Sequence, residues 1–169
     1  MCAEEVEHLS AEWTAAFADL FRTHHSDLLR LAYGMVGDAD VAADVVQSAW
    51  TAAWQHRTDL RDENSVRSWL LTITANQARK VLRRRRIRRW LPLVDGAIPA
   101  AGRSEVEARL DLVAVLQRLP VRDRQIVLLR YALGESSAEI GRQVGLSDSG
   151  VRVRLARVLA KLRSDLGDE

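Results

Sequence analysis

Ser137-Ala138-Glu139-Ile140-Gly141-Arg142-Gln143-Val144-Gly145-Leu146-Ser147-Asp148-Ser149-Gly150-Val151 is the stretch that decides the fold. Gly141 is small where two helices have to approach, Gly145 follows four residues on at a turn that needs positive φ, and Val151 lies six residues beyond. That is the spacing of a helix-turn-helix. Ser147 is placed to cap the second helix, and its apolar stripe Val151, Leu155, Val158, Leu159 and Leu162 faces the first helix and the pair upstream. The opposite face is predicted to carry Arg152, Arg154, Arg157 and Lys161. Such a helix suits the major groove of DNA, where a good bidentate Arg–guanine contact is worth roughly 1–3 kcal/mol of discrimination. The plainer reading is a helical hairpin with a solvated basic face.

Outward from that motif, helical periodicity fits almost everywhere. Val106, Leu110, Val113, Leu116 and Leu119 form a stripe that stops at Pro120. Ile126, Leu129 and Leu133 continue on another helix from about Arg122, which Gly134 closes. In the N-terminal half, Trp13, Phe17, Leu20, Phe21, Leu28, Leu31 and Ala32 recur at spacings of three, four and seven, so a helix is expected over 13–33, with Gly34 and Gly37-Asp38 at its end. Asp40 starts a second pattern with Trp50 and Trp54 one turn apart. Residues 57–64 read as a polar loop, and Ser65 caps a third helix carrying Val66, Trp69, Leu70, Ile73, Ala78, Val81 and Leu82. Pro92, Gly96, Pro99 and Gly102 fall within 11 residues and mark an interdomain linker. The expected fold class is all-α, two small helical domains joined by a flexible linker, the second containing the helix-turn-helix.

Charge is segregated along the 169 residues. The formal net charge is +2, yet residues 1–63 sum to −8, residues 64–94 to +9 and residues 95–169 to +1, and 23 of the 25 cations are Arg. Residues 79–89 hold eight cations in eleven positions, a density that repels itself unless a polyanion is near. Nucleic acid is therefore the expected partner, although a solvated basic run has the same composition. Trp69 taken alone reads as core sooner than as a platform for a base, while Asn76 and the cations beside it suit unstacked bases.

Several classes are excluded at this level. No apolar stretch approaches the ~20 residues that span a bilayer, so no membrane insertion is expected. The N-terminus lacks a basic start followed by an apolar run, and Cys2 has no second cysteine to pair with, which makes a reducing, cytoplasmic setting the default. His8, His24, His25 and His56 have no Cys at ligand spacing, so neither metal nor cofactor is expected. No catalytic constellation emerges, and the protein is read as a non-enzyme.

Four motifs in order resemble one family, the extracytoplasmic-function (ECF) sigma factors of bacterial RNA polymerase. They are Asp44-Val45-Val46-Gln47 with Trp50 and Trp54, Ser68-Trp69-Leu70-Leu71-Thr72-Ile73-Thr74-Ala75-Asn76, Leu119-Pro120-Val121-Arg122-Asp123-Arg124, and the helix-turn-helix ending Gly150-Val151-Arg152-Val153-Arg154-Leu155. The resemblance implies region 2 over 10–90, a linker over 91–104 and region 4 over 105–166. It implies that Asp44, Gln47 and Ser48 face core polymerase, whose β′ and β subunits are the implied contacts; Ser48 stands where the family usually has Glu. It assigns the loop over 56–64 with Trp69, Asn76, Arg79, Arg83 and Arg84 to the melted promoter −10 element, with Lys80 where an acidic residue is common. It assigns Ser149, Arg152, Arg154, Arg157 and Lys161 to the −35 duplex, with Val153 where a small polar residue is common. A separate anti-sigma protein is an implied partner. The function expected is transcription initiation: binding core polymerase and directing it to promoters. The rival is a homodimeric helix-turn-helix repressor or activator on a palindrome, which leaves the tryptophan-rich N-terminal half without a role. An RNA-binding arginine-rich protein accounts for 79–89 alone.

Overall fold

A computed structural model describes residues 3–60, 65–88 and 105–167. Among them there are helices and no strand: α1 (Ala3–Val36), α2 (Ala39–Gln55), α3 (Val66–Arg88), α4 (Glu105–Arg118), α5 (Val121–Val127), α6 (Ser137–Val144) and α7 (Asp148–Gly167). A single 3₁₀ turn, Arg57–Asp59, follows α2, and α5 runs on into a π-helical turn, Leu128–Ala132. The all-α expectation holds. The linker placed at 91–104 and Cys2 lie outside the described residues.

The N-terminal domain packs α1, α2 and α3 against one another around Leu28, Leu31, Met35, Val45, Val46, Leu70 and Leu71, all buried. Burying each Leu contributes about 1.5–3 kcal/mol. Asp38, two residues before the predicted start of α2, caps that helix by accepting from Val41 N–H at 3.0 Å, a bond that holds its carboxyl below the usual Asp range. Gly37 (φ +74°) ends α1. Gly34, expected to punctuate the helix, stays inside it, because its lack of a side chain serves packing instead. A Cβ there would lie 2.5 Å from Leu128 Cδ2, in the second domain.

In the C-terminal domain the predicted helix-turn-helix forms, with Gly145 at positive φ as read and Gly141 serving the turn instead of a helix–helix approach. Ser136 and Glu139 build a reciprocal capping box at the start of α6. Gly145 (φ +67°) closes α6, and both Gly145 N–H and Leu146 N–H reach the Gly141 carbonyl. Gly141 is needed by the turn itself, since a Cβ on it would stand 2.5 Å from the Leu146 carbonyl oxygen. Ser147 Oγ accepts from Gly150 N–H at 3.0 Å and caps α7.

The two domains meet at the C-terminal ends of α1 and α4. Arg124, in the first turn of α5, is only 4% exposed and spends every guanidinium N–H on carbonyl or amide oxygens. Nε donates to Leu116 O at 2.8 Å, and the terminal nitrogens donate to Gln117 O (2.7 Å), Leu119 O (3.1 Å), Met35 O and Gln117 Oε1. Gln117 Nε2 adds a bond to Gly34 O at 3.1 Å. These carbonyls lie at helix ends, where intrahelical partners run out, although Leu116 O also accepts from Leu119 N–H, and a cation at that end also meets the negative pole of the helix dipole. Burial lowers the pKa of Arg124, but a guanidinium remains a cation at neutral pH.

Arg124→Met is accordingly expected to lower stability by about 3 kcal/mol through the stranded carbonyls. Arg124→Lys, which keeps the charge but not the fork, falls between. Urea unfolding of the three proteins measures this, and a Lys variant equal to wild type would refute the assignment.

Candidate nucleic-acid interface

On α7 the outward face runs along Ser149, Arg152, Val153, Arg157 and Lys161, all exposed. Arg152 pairs with Asp148 one turn back, and Arg154 is half-buried, its Nε bonded to Asp123 on α5. Arg154 was expected on the outward face. It is three residues after the buried Val151, so at 100° per residue it returns to within about 60° of the core side and reaches α5. Arg157 and Lys161, like Arg152, are exposed cations of this helix. Arg122 bonds the Val144 carbonyl at the end of α6 and so ties the turn before α7 to α5.

On α3, Asn76, Lys80, Arg83 and Arg84 are exposed, while Trp69 is half-buried against the core. Arg79 donates to Asn76 Oδ1 on its own helix and to Gln125 Oε1 on α5 at 3.0 Å. Burial, and next to it the charge of Arg122, lowers the pKa of Arg79. Trp69, Asn76, Arg79, Arg83 and Arg84 share one helix, Trp69 and Arg79 half-buried and the others exposed, and the loop over 56–64 is described only to Leu60.

On α2, Asp44, Gln47 and Ser48 share the solvent face, backed by the buried Val45, Val46 and Ala49. Trp50 and Trp54 part company: Trp50 is buried with Nε1 donating to His25 Nδ1 at 3.3 Å, and Trp54 is 38% exposed. Phe17 meets both rings edge-on at 5.3 and 5.1 Å, and Arg57 lies over Trp54 at 5.3 Å.

A polar seam that sequence reasoning missed joins α1 and α3 to the second domain. Arg67 bonds Asp27 Oδ2, Glu135 Oε1 and the Leu133 carbonyl at 2.7 Å, and Gln143 Nε2 donates to Ser68 Oγ and Glu135 Oε2, both at 3.1 Å. The bonds that cross between the domains have no local spacing, their partners lying 66 to 75 residues apart. Two buried amide atoms of the seam, Gln125 Nε2 and Gln143 Oε1, find no protein partner. Among the described residues no group of three or more His, Cys, Asp or Glu side chains could hold a metal.

Burial raises the Glu135 carboxyl above its ordinary value, outweighing the attraction of Arg67. The folded protein therefore holds this proton more readily than the unfolded chain, so the contribution of Glu135 grows on acidification and is lost as pH rises through the folded value. His24 acts oppositely: burial, with Arg67 beside it, lowers its pKa, and stability is lost as pH falls below about 6.5. From about pH 7 down to the ordinary Glu value of about 4.3, wild type is expected to gain stability relative to Glu135→Gln and, below about 6.5, to lose it relative to His24→Gln. Urea midpoints across that range test both, and flat differences would contradict the assignment.

With this geometry in hand, the similarities are specific. Residues 20–88 match the family model for Sigma-70 region 2, and residues 109–162 match Sigma-70, region 4. The chain is 35% identical over 153 residues to the ECF RNA polymerase sigma factor SigM of Mycobacterium tuberculosis, covering 90% of this chain and 78% of that protein. It is 31% identical over 179 residues to the probable RNA polymerase sigma factor RfaY of Xanthomonas campestris, covering 98% of this chain but 44% of RfaY, so it spans less than half of that relative. The fold is that of the sigma factor RpoE of Bartonella quintana solved with the anti-sigma factor NepR, at 22% identity and a TM-score of 0.74 over 90% of this chain and 97% of that one. Two matched regions in the order region 2, region 4, on a fold whose second domain carries a capped helix-turn-helix, make this chain a member of the ECF sigma factors, the promoter-directing subunits of RNA polymerase.

Proposed function

We propose that the chain binds core RNA polymerase through the α2 face of Asp44, Gln47 and Ser48 and reads the two promoter elements with different domains. In this reading α7 lies in the major groove of the −35 element, with Ser149 and Arg157 toward base edges. Arg152, Arg154 and Lys161 serve the phosphates, Arg154 from the flank where Asp123 holds it. Trp69, Asn76, Arg79, Arg83 and Arg84 line the strand separated at −10. The observation that carries this best is the exposed stripe of α7, which stands above a turn fixed by Gly141, Gly145 and the Ser147 cap.

Strand separation is then driven by binding, because the sequence holds no G-x-x-x-x-G-K-[ST] phosphate loop, and the protein acts as a specificity subunit and not as an enzyme. No described helix is long and apolar enough to cross a membrane, and the place of action is the cytoplasm, where polymerase works. The β′ and β subunits of core polymerase are the proposed contacts. A separate anti-sigma protein is a further proposed partner, by likeness to RpoE with NepR. The homodimeric repressor is not favoured, because the region 2 match gives the N-terminal half the role that the repressor leaves empty.

Transcription in vitro with purified core polymerase and a promoter library tests the proposal. Specific starts should appear only with the protein present, and their absence from every promoter would refute it. Arg157→Ala should weaken promoter binding by about 1–3 kcal/mol while core binding is kept. The double variant Asp44→Ala, Gln47→Ala should weaken core binding and leave the fold intact, as circular dichroism and urea unfolding would show.

A further inference from the structure

Val153 is the anomaly on the outward face of α7. It is 59% exposed, and among the described residues it is the one large apolar side chain on that helix that faces solvent. A β-branched residue at an exposed helix position costs stability relative to Ala and recovers nothing without a partner. Its neighbours on the same face at 156 and 160 are Ala, so the surface around it is low enough for close approach. Toward the N-terminus it borders an open hollow of about 320 Å³, lined also by Leu146, Ser149, Arg154 and Arg157. Arg154 is turned to Asp123, which leaves Ser149, Val153 and Arg157 as the stripe that rises from the hollow.

These three residues are spaced i, i+4 and i+8, so successive side chains stand about 6 Å apart along the helix, close to two base steps of ~3.4 Å. The major groove offers one apolar feature, the C5-methyl of thymine. We infer that Val153 is a specificity-determining residue that packs on a thymine methyl, about two base pairs from the base pair met by Arg157. This rests on the proposal that α7 reads the −35 element and deepens it by naming what one position selects. Ser149, being polar, and Arg157, being a cation, supply contacts that thymine and uracil satisfy equally at their shared edge. Of these three, Val153 alone offers an apolar side chain to the methyl.

The test uses holoenzyme assembled from core polymerase and the full chain. Promoter duplexes randomised across the −35 element are selected with wild type, and each thymine of the selected element, on either strand, is then replaced singly by deoxyuridine. One replacement is expected to weaken wild-type binding about fourfold, the worth of one buried methyl. The same replacement should change binding by Val153→Ala holoenzyme little, and that variant should select the position with relaxed preference. Because Ala is the better helix former at an exposed site, the variant is expected to fold. A selected element insensitive to uracil everywhere, or equally sensitive in Val153→Ala, overturns the role of Val153 and leaves the −35 reading standing. A selection that enriches no −35 element overturns both.

Discussion

Three consecutive side chains at the start of α5 hold the second domain together and to the first. Arg122 takes up the end of α6, Asp123 takes Arg154 of α7, and Arg124 fills the carbonyls at the ends of α1 and α4. Arg124 matters most, because a buried cation with no carboxylate partner persists only where every N–H has an acceptor. Two helix ends supply those acceptors, and their dipoles supply the compensating field. Remove either helix end and the guanidinium is stranded, so the placement of α1 against α4 and α5 follows from where Arg124 can exist.

The rest of the contact between domains mixes apolar packing with a polar network that is only partly satisfied. Leu128 over Gly34 is an apolar part of it. Arg67, Glu135, Gln143 and Ser68 form a network in which charge, burial and hydrogen bonding oppose one another, and the raised pKa of Glu135 records that opposition. Two buried amide atoms without protein partners subtract further, by about 1–3 kcal/mol each where water does not reach them. A polar network optimised for permanence would have been fully paired.

Much of this was legible in the sequence, and the unread part has a common physical cause. Helical periodicity, the glycines of the turn and the Ser147 cap are local signals, with cause and effect within a few residues. The face of Asp44, Gln47 and Ser48 entered only through the family resemblance. Arg154 was misplaced because a list of cations on a helix ignores the angle at which each leaves it. Gly34 was read as a stop when it is a point of close approach, which only the distant Leu128 reveals. Arg124 and Arg67 were unreadable as structural groups: their partners are carbonyls, which carry no residue identity, or lie dozens of positions away. The aromatic pair was half legible, since its spacing placed Trp50 and Trp54 on one helix but not which of them would be buried.

The bond from Arg79 to Gln125 puts a side chain of α3 in the keeping of the other domain. Promoter elements centred near −35 and −10 lie about 25 base pairs apart, roughly 80 Å along a duplex at ~3.4 Å per pair. Domains in hydrogen-bonding contact do not reach both at once. On the proposed reading of both elements, the described arrangement is one member of an ensemble, and promoter affinity is the intrinsic affinity of the separated form scaled by its population. Each 1.4 kcal/mol of net docking free energy lowers that population about tenfold, so the strength of the seam sets a threshold that polymerase must overcome. By the same linkage, a molecule that favours the docked form would silence the protein without touching α7.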